Sequence, residues 1–239
     1  MTARPTTAGR CSEKLHEAMR TVLRQEVETT GAGRTDTGVH ARQLFAHFDL
    51  PKTEAIAEKD HFLRRLNVLL PPDIAVHRLL EVAGDAHARF DATERAYEYH
   101  VHFGKDPFLA NRSWQLRERP DVERMNRAAR YLLGKQDFGC FSKSRTQVAT
   151  NICRVERAEW LPTAAGLAFH IRADRFLRNM VRAIVGTLMD IGLKGLPPEA
   201  IPDIIASRSR ARAGASVPAH GLYLTEVVYP YPFIIANEQ

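Results

Sequence analysis

No run of apolar residues in this chain approaches the roughly 20 needed to cross a bilayer, so a membrane-spanning helix is not expected. The first ten residues, MTARPTTAGR, hold no apolar stretch and carry no secretory leader on this reading. They are small, polar and interrupted by proline, which predicts a disordered leader. Cysteine is scarce. Cys11, Cys140 and Cys153 form no CxxC pair, and any disulfide scheme leaves one over. That excludes a disulfide scaffold and predicts a reducing, cytoplasmic setting. His, Cys and Asp do not cluster at metal-ligand spacing, so no metal is expected. Short-period repeats are missing too.

What is present is ordinary globular material. Of 239 residues, 44% are apolar and 26% charged, enough for one large domain or two small ones. Lys and Arg number 34 against 28 Asp and Glu, a net charge of +6. Arginine carries most of the excess, and its planar fork suits phosphate. A polyanion, foremost a nucleic acid, is the partner this predicts; a merely basic surface is the alternative.

Apolar periodicity predicts the elements. A helix follows Ser12 as its cap, with Leu15, Met19, Val22, Leu23 and Val27 on one face. Strands are expected over 44–50 and 74–82, with a helix over 58–70 between them. Residues 95–103 alternate as a strand, with Tyr97, Tyr99 and Val101 on one side and Glu98, His100 and His102 on the other. A helix over 121–133, strands over 152–161 and 167–173, a buried helix over 176–191, a short helix over 200–207 and a strand over 222–229 complete the pattern. No steady βαβ beat appears, so the class is α+β. Two similar subdomains are expected, residues 1–90 and 91–239. Each would be a mainly antiparallel sheet with helices on one face, with an active-site cleft between them.

The stretch GAGRTDTGVH, residues 31–40, opens like a nucleotide loop but is not one. Asp36 stands where GxGxxG needs its last glycine, and no Gly-Lys-Ser/Thr follows for a Walker loop. The glycines instead allow a sharp turn and a close approach. Arg34, two residues before Asp36, favours the ionised carboxylate. Such an Asp serves as a general base or nucleophile, or simply caps its own turn.

Four segments together resemble one family. GAGRTDTGVHA (31–41), ARFDATERAYEY (88–99), FLRNMVRAIVG (176–186) and GLYL with VYP (221–224 and 228–230) are similar, in order, to the signatures of the TruA family of tRNA pseudouridine synthases. The resemblance implies isomerisation of uridine to pseudouridine in the anticodon stem-loop of tRNA, at positions 38, 39 and 40. It implies no metal or organic cofactor, a homodimer, and tRNA as partner. The catalytic Asp falls on Asp36, the base-stacking Tyr on Tyr97, and substrate-binding arginines on Arg34 and Arg182. For Tyr97 a packed core position is the bland alternative; for Arg182 it is a buried ion pair. Arg172, Arg175 and Arg178 are expected to face RNA phosphates, with a solvated face as the alternative. His40 reads as a hydrogen-bonded structural residue, and Cys140 and Cys153 as packing residues.

The sequence also departs from the family. The usual first strand, with Y-D-G-T-like and G-W-Q-like segments, has no counterpart in residues 1–10. The expectation is an N-terminal sheet short of one strand, with an unpaired edge. A catalytically impaired RNA-binding protein of the same fold is therefore the second hypothesis. A nucleoside hydrolase is a third, weakened because no second carboxylate stands beside Asp36.

Overall fold

Leu15, Met19, Val22 and Leu23 share one side of a helical repeat, and they fold as α1 (Thr7–Leu23). The computed structural model describes residues 7–33, 35–50, 56, 58–143 and 150–231. Most of the predicted leader, and Arg34, lie outside these residues. The chain forms two compact units. The first runs up to Thr37, resumes over Leu44–Ala92 and takes the chain from Tyr229 onward; the second is Gly38–Gln43 with Thr93–Val228.

In the first unit α1 begins at Thr7, ahead of the expected cap. Ser12 does not cap it, because its hydroxyl faces Thr29 Oγ1 at 3.5 Å. β1 (Thr30–Gly31) leads into the Asp36 segment, and β2 (His40–Ala41) belongs to the second unit. The strand expected over 44–50 shrinks to β3 (Ala46–His47), which is only as long as its antiparallel partner β1. α2 (Lys59–Leu69) lays Phe62 and Leu66 against Ala18, Met19, Val22 and Val27, forming a core of its own. Residues 74–82 form no regular strand. The Asn67 side chain takes the ladder partner's place: its amide donates to Val76 O and accepts from Val76 N, both at 2.8 Å.

The second unit is built on β4 (Glu94–Phe103), the strand predicted from alternation. After it come β5 (Trp114–Leu116), α3 (Val122–Arg130), β6 (Gly134–Asp137), β7 (Ile152–Pro162), β8 (Gly166–Ala173), α4 (Met180–Lys194), α5 (Ala200–Ser207) and β9 (Leu222–Val228). The sheet runs β2-β9-β4-β8-β7-β6, with β5 also paired to β4. β2 on β9 and β5 on β4 are parallel; the other pairs are antiparallel. Helices and a mainly antiparallel sheet make the class α+β. The sheet is divided unequally, seven strands here against two in the first unit.

α3 starts where the helix is expected, at Asp121, whose carboxylate caps it by accepting from Arg124 N at 2.9 Å. α3 then packs on α4 and β7. α4 is apolar on more than one face, with ten of its fifteen residues buried, so most of it runs inside the unit. It starts four residues later than expected because Asn179 takes a left-handed φ of 67°. Residues 213–218 lie directly on α4, and glycine is required at 186: a Cβ there would collide with the Ala215 carbonyl oxygen.

Candidate active site

The Asp36 segment is an excursion with a closed base. β1 and β3 pair at Gly31↔Ala46, and Ala32 N donates to Phe45 O at 2.8 Å. Between those residues the chain changes unit at Gly38, whose φ of 86° only glycine adopts cheaply. Beyond it β2 pairs His40 with Tyr223 and Ala41 with Leu224, while Arg42 N donates to Leu224 O. The Gln43 side-chain oxygen accepts from Val227 N at 2.8 Å. Asp36 is half-buried and stands four residues ahead of His40, where this anchored strand begins.

Tyr97 sits in the second unit at a break in the ladder. β4 and β9 are in register at Ala96↔Glu226 and again at Tyr97↔Leu224, so Thr225 is left over as a bulge. The Thr225 hydroxyl donates to Ala96 O at 3.1 Å. A bulge twists the strand locally and re-aims the side chain beside it. The Tyr97 ring meets Phe176 edge-on, with centroids 5.1 Å apart and planes at 87°. Phe176 lies in the connection from β8 to α4, between Arg175 and the exposed Arg178. Phe176 opens one of the quoted motifs and was expected in a buried helix, not against Tyr97; the bulge has no residue signal that separates it from an ordinary strand.

Arg182 projects from the first turn of α4. Its Nε donates to Val217 O at 2.8 Å, and its own carbonyl accepts from Val217 N. The neighbouring Tyr99 is fully buried and donates its hydroxyl to Pro218 O at 2.8 Å. Burial pushes its phenol far above the ordinary value, so it stays protonated. Two side chains thus pin residues 217–218 beneath the guanidinium. The structure therefore gathers Tyr97, Phe176, Arg175, Arg178 and Arg182 around the start of α4. Asp36 belongs to the other unit, and Arg34 lies outside the described residues.

Arg172 does not join that group. It points to the opposite face of the sheet and pairs with Glu94 at 3.1 Å and with Glu226. Its charge is spent on carboxylates instead of standing toward a phosphate. The same face carries Glu98, which accepts from His100 Nε2 at 2.9 Å and lies near Arg42 at 3.5 Å and His170 at 3.6 Å. A polar hollow of about 430 Å³ opens there among Gln43, Glu98, Arg157, His170 and Glu226. His102, expected on a polar face, is buried at 3% exposure.

The two inner cysteines are packing residues. Burial pushes the Cys140 thiol up to about 11 and that of Cys153 up to about 12, so neither supplies a thiolate near neutral pH. Among the described residues no helix is long and apolar enough to cross a membrane, and no three acidic, His or Cys side chains are grouped to hold a metal.

Comparison with known proteins identifies the family. The family described as tRNA pseudouridine synthase matches residues 128–230, which include β7, β8, α4 and β9. A tRNA pseudouridine synthase A of Porphyromonas gingivalis is 50% identical over 220 residues, covering 91% of this chain and 87% of the relative. The protein of the same name from Bacteroides thetaiotaomicron is 48% identical, covering 91% and 81%. That of Bacillus licheniformis is 37% identical, covering 91% and 88%. With half its residues shared across nearly the full length of such a relative, this chain belongs to the tRNA pseudouridine synthase A family.

Proposed function

We propose that this chain isomerises uridine to pseudouridine in the anticodon stem-loop of tRNA, with Asp36 as the essential carboxylate. The observation that supports the reading is the 50% identity, over 91% of the chain, with a relative named tRNA pseudouridine synthase A. The reaction breaks the N1–C1′ bond, turns the base over and joins C5 to C1′. C5 gives up its proton and N1 takes one, so atoms balance without a co-reactant or cofactor. Asp36 acts on the sugar, as nucleophile at C1′ or as base toward a sugar proton; both routes need it ionised. Arg34, two residues away in sequence, favours that form.

The detached base must be kept while it turns. The Tyr97 ring, braced edge-on by Phe176, offers a face that holds a base without fixing its in-plane orientation. A uridine within the stem must first be flipped out, at roughly a few kcal/mol. Arg182, its plane fixed by the bond to Val217 O, contacts the flipped nucleotide or its phosphate. Arg175 and Arg178, in the same connection as Phe176, extend the phosphate contact. Residues 1–90 and 91–239 serve as the two synthase subdomains, and the enzyme works in the cytoplasm as a homodimer.

The test is direct. Purified protein is incubated with unmodified tRNA transcript, and pseudouridine is mapped by carbodiimide adducts and primer extension. Wild type is expected to modify the anticodon arm, and Asp36→Asn to lose at least roughly 100-fold in rate while still binding tRNA. Folded wild-type protein that binds tRNA and never modifies it overturns the reading in favour of an RNA-binding role. Release of free uracil overturns it in favour of hydrolysis.

A further inference from the structure

Phe108 is 86% exposed, the most open large apolar side chain among the described residues. A lone exposed hydrophobe is unremarkable when its loop is loose. This loop is held from several sides. Asp106 caps the turn Pro107–Leu109 by accepting from Phe108 N at 2.8 Å. Asn111 takes a left-handed φ of 60°, and both Arg112 N and Ser113 N fold back onto Leu109 O. Three consecutive carbonyls then accept from three side chains of the same unit. His40 Nε2 donates to Asn111 O at 3.0 Å, the Tyr223 hydroxyl to Arg112 O at 2.6 Å, and the His220 ring to the Ser113 carbonyl. His40 also stacks on Tyr223, with centroids 4.7 Å apart and planes at 22°. The ring of Phe108 is therefore presented on a fixed support.

Its surroundings select the partner. Lys105 and Arg112 are exposed on either side of it in the chain, and the one carboxylate within Lys105–Ser113, that of Asp106, accepts from Phe108 N as the cap. An open aromatic face between cations fits a nucleobase with its neighbouring phosphates, since stacking accepts any base and the cations take the backbone. The support also includes His40, four residues after Asp36 in the chain, so the loop is tied to the strand that leaves the catalytic segment.

We propose that the Lys105–Ser113 loop is a second RNA contact, in which Phe108 stacks on an unpaired nucleobase of the tRNA while Lys105 and Arg112 hold adjacent phosphates. The proposal rests on the tRNA reading above. It assigns the loop to binding, away from bond making and breaking.

Three variants test it against unmodified tRNA transcript. Phe108→Ser is expected to weaken equilibrium binding by about 10- to 100-fold. Phe108→Trp is expected to hold wild-type affinity and to show tryptophan quenching on tRNA addition beyond that of the wild-type protein. Lys105→Gln is expected to reduce the salt dependence of binding by about one counterion, which Phe108→Ser leaves alone. A wild type that modifies tRNA while Phe108→Ser binds equally tightly, with no added quench from Phe108→Trp, overturns this proposal alone. Phe108→Ser that changes the oligomeric state and spares tRNA affinity also overturns it, naming a second copy of the chain as the occupant. A wild type that neither binds nor modifies tRNA overturns the parent reading and this one with it.

Discussion

The two units of this chain hold themselves together by different means. In the second, seven strands repeat the same backbone bond many times around β4, and α4 fills the core beside them. In the first, the described residues give a sheet of two strands of two residues each and a core of seven buried side chains from α1, α2 and their flanks. Side chains do there what strands do in the second unit. Asn67 pairs both ways with Val76, His47 Nδ1 accepts from Ala88 N, and Tyr229 donates to Ala88 O. A long ladder spreads its stability over many equal bonds, whereas a short one makes single residues matter. Asp36 is carried by the thin unit, and Tyr97 and Arg182 by the thick one.

Cutting each core should show this contrast at its largest. Phe169 is fully buried against Trp160 at 5.2 Å, and Phe62 is 5% exposed on α2. Each Phe→Ala change costs about 3–5 kcal/mol. For Phe169→Ala the loss is expected across the second unit, read as faster amide exchange along β4, β7 and β8. For Phe62→Ala it is expected in α1 and α2, with β8 unchanged. Equal acceleration in both regions by either variant breaks the contrast.

The thick unit was also the more legible. Alternation over 95–103 and apolar residues on more than one face over 176–191 are signals that long ladders and buried helices leave in any chain. Misreadings fall where one side chain decides the backbone: Asn67 takes the place of a strand partner for 74–82, and Asn179 delays α4 by its left-handed turn. β2 escaped because its two residues are recruited by β9, which no local pattern announces. At the site, Asp36, Tyr97 and Arg182 were named by family motifs. Of their surroundings, Phe176 opens one of those motifs, whereas the Thr225 bulge and the Val217 carbonyl are matters of register and loop path that no motif marks. Arg172 shows the limit of charge counting, because a basic residue on a strand is read as free until its carboxylate partners are seen across the ladder.

A smaller pair of variants sharpens the comparison. Asn67→Ala leaves the Val76 backbone without either partner and is expected to cost about 1–3 kcal/mol. Thr225→Val removes one side-chain bond to Ala96 O inside a long ladder and is expected to cost about 0.5–1.5 kcal/mol. Urea midpoints at constant slope measure both. A larger loss from Thr225→Val would mean that the bulge, more than the ladder, carries that part of the sheet.

The smallest effect is one of pH, and it belongs to the thin unit. The Asp91 carboxylate accepts from His87 N at 2.6 Å and from the Tyr231 hydroxyl at 3.0 Å. The His87 bond first, then the Tyr231 bond and the nearby rings of His87 and His47, hold its pKa below the ordinary aspartate value. A carboxyl lowered on folding stabilises the fold above its unfolded pKa of about 3.9, and that stability disappears as pH falls through the folded value. Melting of the first unit should thus be insensitive to this group from pH 7 to 5 and should fall below about pH 4. Asp91→Asn should melt lower near neutrality and lose less on acidification, so the two curves converge in acid. Parallel curves would show that Asp91 keeps its pairing only as a neutral acceptor, and that the first unit draws no charge-dependent stability from it.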